Sequence, residues 1–201
     1  MKFCDARKDL FRNLAREKGY RSRSAFKLIE LNHKYRLLSN AKSIVDIGCS
    51  PGGWLQVAYE FGKKNARIIG VDISPTRPLY NITMLRANIE DPDLAEVLLK
   101  ISQARFDLLL SDLSPNISGL WDYDHMRQIS ISLRALQLAT EILGKGGNAV
   151  FKIFEGEMIN DFKSKVSNVF SNVRVCKPKA SRQESSELYI IGKNLERNWD
   201  R

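Results

Sequence analysis

The stretch SIVDIGCSPGGWLQ, residues 43–56, constrains this chain more than any other. A run of branched apolar residues ends in an acid, passes through a cluster of Gly, Ser and Pro, and resumes at Trp54 as an amphipathic segment. That succession predicts a strand, a tight turn and a helix. Turns of this kind bind phosphates, hold catalytic serines or cradle other small ligands, so the residues between Gly48 and Gly53 have to discriminate among the three.

The rest of the chain repeats the theme. Apolar runs at 43–47, 67–72, 82–87, 106–112, 148–154, 172–176 and 187–192 predict seven strands, and 53–62, 92–103, 126–143 and 158–170 predict helices between them. Early strands without polar alternation belong in a parallel sheet covered on both faces, so the class is α/β with right-handed crossovers. A basic helical region at 5–38 precedes the pattern, with Phe26, Leu28, Ile29 and Leu31 as its apolar stripe. At 201 residues the chain fits one domain, in which residues 1–40 form a basic extension packed on a core of 41–201. In open sheets of this kind ligands sit beyond the carboxyl ends of the strands. Those ends carry Asp46 with Gly48, Asp72, Asn88, Asp112 and Lys152.

Charge is distributed unevenly. The net charge of +9 resolves into 11 Lys and Arg against 4 acids in residues 1–40, 9 against 4 in 163–201, and 12 against 15 between them. Basic ends around an acidic centre favour a polyanion partner, most simply a nucleic acid. No apolar run reaches the length of a membrane span and the N-terminus lacks a signal-peptide core, so a cytoplasmic protein without a membrane partner is expected. Cys4, Cys49 and Cys176 are scattered, and His33 and His125 are far apart, so neither a disulfide framework nor a metal site is expected.

The turn itself excludes two chemistries. A phosphate-binding P-loop needs Lys and Ser or Thr after its last Gly, and here Trp54 and Leu55 follow Gly53. A dinucleotide fingerprint needs a middle Gly where this chain has Ser50. The third reading, a Ser50 nucleophile elbow in Gly48-Cys-Ser-Pro-Gly52, is opposed by Pro51, which has no N–H to form the oxyanion hole. What remains is a ligand that approaches the backbone without bringing a phosphate. Asp72, about 20 residues on, is placed to accept hydrogen bonds from a ribose diol. A phosphate-free nucleoside with a charged amino-acid tail suits both features, and S-adenosyl-L-methionine is such a ligand.

Four further stretches, YRSRSAFKL at 20–28, DLLLSDLSPNISG at 107–119, AVFKIFEG at 149–156 and SRQESSELYI at 181–190, join DIGCSPGGW in that order along nearly the whole chain. Together they resemble the FtsJ/RrmJ-type RNA 2′-O-ribose methyltransferases. The resemblance implies a Rossmann-like S-adenosylmethionine-dependent methyltransferase fold and a Lys-Asp-Lys-Glu catalytic tetrad at Lys27, Asp112, Lys152 and Glu187. It also implies cofactor contacts from Asp46, Gly48, Ser50, Pro51, Gly52, Gly53, Trp54, Asp72, Asn88 and Asp112. Cys49-Ser50 stands where the family commonly has alanines, and Asn88 where it usually has an adenine-binding Asp.

The tetrad also makes chemical sense residue by residue. A ribose 2′-hydroxyl is a poor nucleophile, and methyl transfer requires its proton removed and its oxygen aligned. Lys152 interrupts the apolar run AVFKIF, where an unpaired lysine is costly, and is the candidate base. Lys27 is its cationic neighbour, with Asp112 and Glu187 orienting the pair. Arg21 and Arg23 are expected RNA contacts. Two functions follow: an RNA 2′-O-methyltransferase, or a catalytically silent RNA-binding or ribosome-assembly factor on the same fold. For the enzyme, the resemblance points to a monomer acting on a uridine of large-subunit ribosomal RNA, with transfer-RNA anticodon loops as the second substrate class.

Overall fold

A computed structural model describes residues 10–182 and 184–196. Cys4 and residues 5–9 of the expected basic helical region lie outside the described residues. In chain order the elements are α1 (Leu10–Glu17), α2 (Ala25–Tyr35), β1 (Ser43–Ile47), α3 (Gly53–Phe61), β2 (Arg67–Asp72), β3 (Ile82–Arg86), α4 (Leu94–Ser102), β4 (Phe106–Ser111), α5 (Trp121–Ile142), β5 (Leu143–Phe154), α6 (Ile159–Ser167), β6 (Phe170–Cys176) and β7 (Glu187–Leu195). The seven strands form one sheet in the order β3-β2-β1-β4-β5-β7-β6. Its pairings are parallel except that β7 runs antiparallel to both β5 and β6.

Side chains alternate across a strand, and the two faces of the sheet fill accordingly. Val45, Ile69, Leu109 and Phe151 join one apolar cluster with Leu136 and Ala139 of α5 and Phe162 of α6. Ile44, Ile68, Leu108, Leu110 and Val150 join a second with Leu28 and Leu31 of α2 and Leu55 of α3. Leu28 and Leu31 are fully buried, and each contributes roughly 1.5–3 kcal/mol from area removed from water. The stripe of α2 thus seats it over the centre of the sheet. By the same alternation Asp112, Lys152 and Glu187 belong to the face that α2 covers, which is why a lysine of that helix can meet them.

Several boundaries differ from those expected. Strand β5 begins at Leu143 rather than 148, because Gly144-Lys-Gly-Gly147, a turn by composition, is absorbed as an irregularity: the register steps from Phe106↔Leu143 to Leu108↔Asn148. Helix α5 begins at Trp121 rather than 126, with Asp122 and Asp124 in its first turn, where the helix dipole favours acids. None of the described helices is long and apolar enough to cross a membrane.

Candidate active site

The four tetrad residues come together at the carboxyl end of β4 and β5. Lys152 is 5% exposed; its ammonium donates to the Asp112 carbonyl at 2.7 Å and lies 3.4 Å from Asp112 Oδ1 and 3.9 Å from Glu187 Oε1. Lys27, from α2, donates to Glu187 Oε2 at 2.6 Å. The contacts therefore run Lys27, Glu187, Lys152, Asp112, alternating in sign, so two buried ammoniums are balanced by two carboxylates. A buried charge without such partners is costly, and each lysine has one.

The reversed direction of β7 makes this possible. In its antiparallel register Lys152 sits opposite Tyr189 and Phe154 opposite Glu187, so the first residue of β7 arrives at the edge where β4 and β5 end. Tyr189 is fully buried and its hydroxyl donates to Asp112 Oδ1 at 2.7 Å. Burial, then the Asp112 and Glu187 charges, hold this phenol well above its ordinary pKa. Its ring packs against Trp54 at 5.7 Å and lies under the Lys27 ammonium at 5.8 Å. Tyr189 escapes sequence reasoning as a site residue because, in ELYIIG, it looks like core; the signal was its place two residues after Glu187 on the same face.

Beside the tetrad a cavity of about 390 Å³ opens at the ends of β1, β2 and β3, lined by Gly48, Asp72, Ala87, Asn88 and Leu113 among others. Its size falls within the ordinary range of small-molecule sites. Leu113 is next in sequence to Asp112, so cavity and tetrad share a wall. A Cβ on Gly48, whose φ is +79°, would come 2.6 Å from a Leu113 methyl, so only Gly fits. Asp72 accepts from the backbone N–H of Ser50 at 2.9 Å and of Ser74 at 2.7 Å. It therefore shapes the turn while lining the cavity. Asn88 accepts from the Glu90 N–H at 3.1 Å, which leaves its amino group as the donor it can offer a ligand.

Asp46 is fully buried and neither carboxylate oxygen has a hydrogen-bond partner among the described residues. Burial, then Asp112 and Asp72, push its pKa well up. An orphaned buried acid between the turn and the tetrad, next to a glycine-walled cavity with acceptors on Asp72 and a donor on Asn88, fits a polar nucleoside ligand with an amino-acid tail.

The remaining turn residues have other neighbours. A Cβ on Gly53 would collide with the Ser22 hydroxyl and one on Gly52, at φ +108°, would meet the Arg21 side chain at 3.0 Å, so these glycines admit the N-terminal segment. Trp54 is buried, donates from its indole to the Ser24 carbonyl at 2.8 Å and lies behind the tetrad. Ser50 and Pro51 are exposed at the turn's tip. Burial, then Asp46 and Asp72, push the Cys49 thiol up to about 12, which makes it inert.

The two arginines expected to meet RNA are not equivalent. Arg21 spends its guanidinium on three carbonyls, those of Pro51 at 3.2 Å, Arg77 at 2.6 Å and Pro78 at 2.9 Å. It clamps the turn to the loop after β2. Arg23 donates to the Ala180 carbonyl at 2.6 Å and lines an open groove of about 450 Å³ with Lys27, Arg182, Glu184, Ser185 and Glu187. Burial, then Arg182, lower the Arg23 pKa, against the opposing pull of Glu187 and Glu184.

The model of the FtsJ-like methyltransferase family matches residues 20–195. A protein named ribosomal RNA large subunit methyltransferase E from Nitrosopumilus maritimus is 40% identical over 95% of this chain and 97% of its own length. One of the same name from Methanocaldococcus jannaschii is 41% identical over 93% of this chain and 78% of its own. A crystal structure of a ribosomal RNA methyltransferase from Plasmodium falciparum superposes with a TM-score of 0.78 at 32% identity, covering 88% of this chain and 98% of that one. A Streptococcus mutans methyltransferase in complex with S-adenosylhomocysteine shares the fold alone, with a TM-score of 0.54 at 14% identity over 83% of this chain and 97% of that one.

Proposed function

We infer the reaction from one premise: the chain belongs to the FtsJ-like methyltransferase family. It transfers a methyl group from S-adenosyl-L-methionine to a ribose 2′-hydroxyl of RNA; the names of its relatives favour large-subunit ribosomal RNA, and the family resemblance a uridine within it. The observation that carries this reading is the buried Lys27–Glu187–Lys152–Asp112 cluster, which opens on one side to a groove lined by Arg23 and Arg182 and abuts, on the other, the cavity beside Gly48.

When bound, the cofactor supplies an electrophilic methyl group; Asp72, Asn88 and Asp46 are the polar groups that would hold it. Lys152, once its ammonium has given up a proton to solvent, accepts the proton of the 2′-hydroxyl, and the oxygen so freed would take the methyl group as the cofactor's sulfur–carbon bond breaks. Asp112 holds Lys152 through its carbonyl and carboxylate, and Tyr189 holds Asp112. Lys27 keeps Glu187 in place, and Glu187 Oε1 limits the swing of Lys152 from the other side. Arg23 and Arg182 face the substrate phosphates, and the two lysines position the ribose between them.

The test supplies methyl-labelled cofactor with isolated large ribosomal subunits, small subunits or transfer RNA, followed by nucleoside analysis. Label in a 2′-O-methylated uridine of the large subunit is expected. Lys152→Arg keeps the charge but has no basic nitrogen to offer, and Lys152→Ala has neither, so each should lower turnover by at least ~10²-fold with cofactor binding retained. Label confined to transfer RNA would move the substrate to that class. Label on a base, or near-parental turnover by Lys152→Arg, would overturn the mechanism.

A further inference from the structure

The segment between β4 and α5 carries an exposed aromatic face that the tetrad and the cavity do not use. Trp121, the first residue of α5, is 49% exposed, and Leu120, Tyr123 and Met126 around it are exposed as well. The indole is nevertheless firmly held, with about half of the residue left open. It stacks on His125 at 6.1 Å and 15° between planes, and on Phe154 at 6.2 Å and 26°. His125 is itself buried against Gly156, where a Cβ would come within 3 Å of its ring, and neither of its ring nitrogens has a partner among the described residues. The loop leading in is pinned by Asp124, which accepts from Ser118 N–H and hydroxyl and from Gly119 N–H at 2.8–3.1 Å. A flat, half-exposed ring held this rigidly loses little entropy when something stacks on it.

Its position says what that something is. Phe154 ends β5, two residues beyond Lys152, and pairs in register with Glu187, so the indole is one side chain away from the tetrad. Lys152 is 5% exposed, so a ribose must enter deeply for its 2′-hydroxyl to reach it, which the groove-lining riboses of a duplex do poorly; single-stranded RNA, whose bases splay out onto aromatic side chains, supplies such a ribose. We propose that Trp121 is a stacking platform for a base flanking the target nucleotide of single-stranded RNA. This rests on the RNA reading above, and it assigns a positioning residue outside the tetrad. Arg127, with its guanidinium 5.4 Å from the Tyr123 ring centre, donates to the Asn116 carbonyl at 3.2 Å and lines the cavity beside Gly48, so the aromatic face adjoins that cavity.

Binding, rather than turnover, tests it. A short fluorescein-labelled single-stranded RNA and an abasic ribose-phosphate oligomer of the same length are titrated against the parent, Trp121→Ala and Trp121→Phe. Both oligomers present the same phosphates, so the difference between them reads the bases. Stacking on one aromatic residue should make the parent prefer the base-bearing oligomer by about 5- to 150-fold. Trp121→Ala should lose most of that preference with its salt dependence unchanged, and Trp121→Phe, which keeps an aromatic face, should retain much of it. A Trp121→Ala protein that keeps the full preference, or a parent that has none, overturns the proposal and leaves the aromatic face to a protein partner. A parent that binds and discriminates but methylates no RNA would sink the catalytic reading and leave the platform standing.

Discussion

Replacing Tyr189 by Phe deletes one oxygen atom and isolates what that oxygen does for the site. The ring is fully buried against Trp54, and Phe fills the same space, so no cavity forms and no packing is lost. What disappears is the hydrogen bond to Asp112 Oδ1 at 2.7 Å. A bond from a neutral donor to a charged acceptor contributes about 1.5–3 kcal/mol. The Asp112 side chain is 17% exposed and also faces Lys152, so water and the ammonium compensate in part, and the lower end, about 1.5 kcal/mol, applies. In a chain of this size each kcal/mol is worth about 2–4 °C, so thermal unfolding should fall by roughly 3–6 °C. A freed Asp112 holds Lys152 less firmly, and kcat should drop by up to about tenfold, the equivalent of the same energy, with cofactor affinity nearly unchanged. Because the phenol titrates well above its ordinary range, the neutral-pH limb of the pH–rate profile should keep its shape. Differential scanning calorimetry and steady-state kinetics on methyl-labelled cofactor measure both effects. Parental melting temperature together with parental kcat would mean that the hydroxyl neither stabilises the fold nor orients Asp112, and the chain of support from Tyr189 to Lys152 would have to be abandoned.

Arg21→Ala should lower melting temperature and cofactor affinity, because three carbonyls of the turn and the following loop lose their donor, while the salt slope of RNA binding stays put. Arg23→Glu should do the reverse, weakening RNA and flattening the slope; titrations of both ligands at several salt concentrations separate the two, and a flattened slope in Arg21→Ala would contradict the clamp. Asp124→Asn tests the pinned loop through pH. Hydrogen bonds from the Ser118 backbone, chiefly, hold the Asp124 carboxyl below its ordinary pKa, so its contribution is present above the unfolded-state value and is lost as pH falls through the folded one. Urea unfolding should therefore find the variant less stable than the parent at neutral pH and level with it in acid, and a gap that stays constant with pH would exclude an ionised Asp124 as the pin.

The parts of this molecule that were legible in the sequence are those where one residue type has a single physical use. Branched apolar runs marked all seven strands, and Lys152 inside such a run announced a partnered charge before any partner was known. Glycine was legible only in kind. Gly48 faces the cavity wall, but Gly52 and Gly53 make room for Arg21 and Ser22, contacts across about 30 residues that no local pattern encodes. Arg21 and Arg23 look alike in YRSRSAFKL, but Arg21 meets three carbonyls of the turn and the following loop and Arg23 meets the Ala180 carbonyl at the groove, partners that only the tertiary fold brings within reach. Strand β5 was shortened because Gly-Lys-Gly-Gly has the composition of a turn, and the sheet overrode it. Trp121 fell between the motif ending at 119 and the helix expected from 126, so its exposure beside Phe154 emerged only from the packing.

Strand β7 comes last of the seven in the chain yet lies between two others, and its first residue completes the tetrad. Every residue lining the cavity beside Gly48 falls between Ile47 and Ile131, whereas Glu187 lies beyond them all. On the ribosome the two halves of the site are thus synthesised at different times. The ligand pocket's residues emerge first, and Lys27, among the earliest made, waits for almost the whole chain before its counter-ion exists. Under the proposed roles, catalytic competence coincides with closure of the sheet, and an incompletely synthesised chain lacks the acid that joins Lys27 to Lys152.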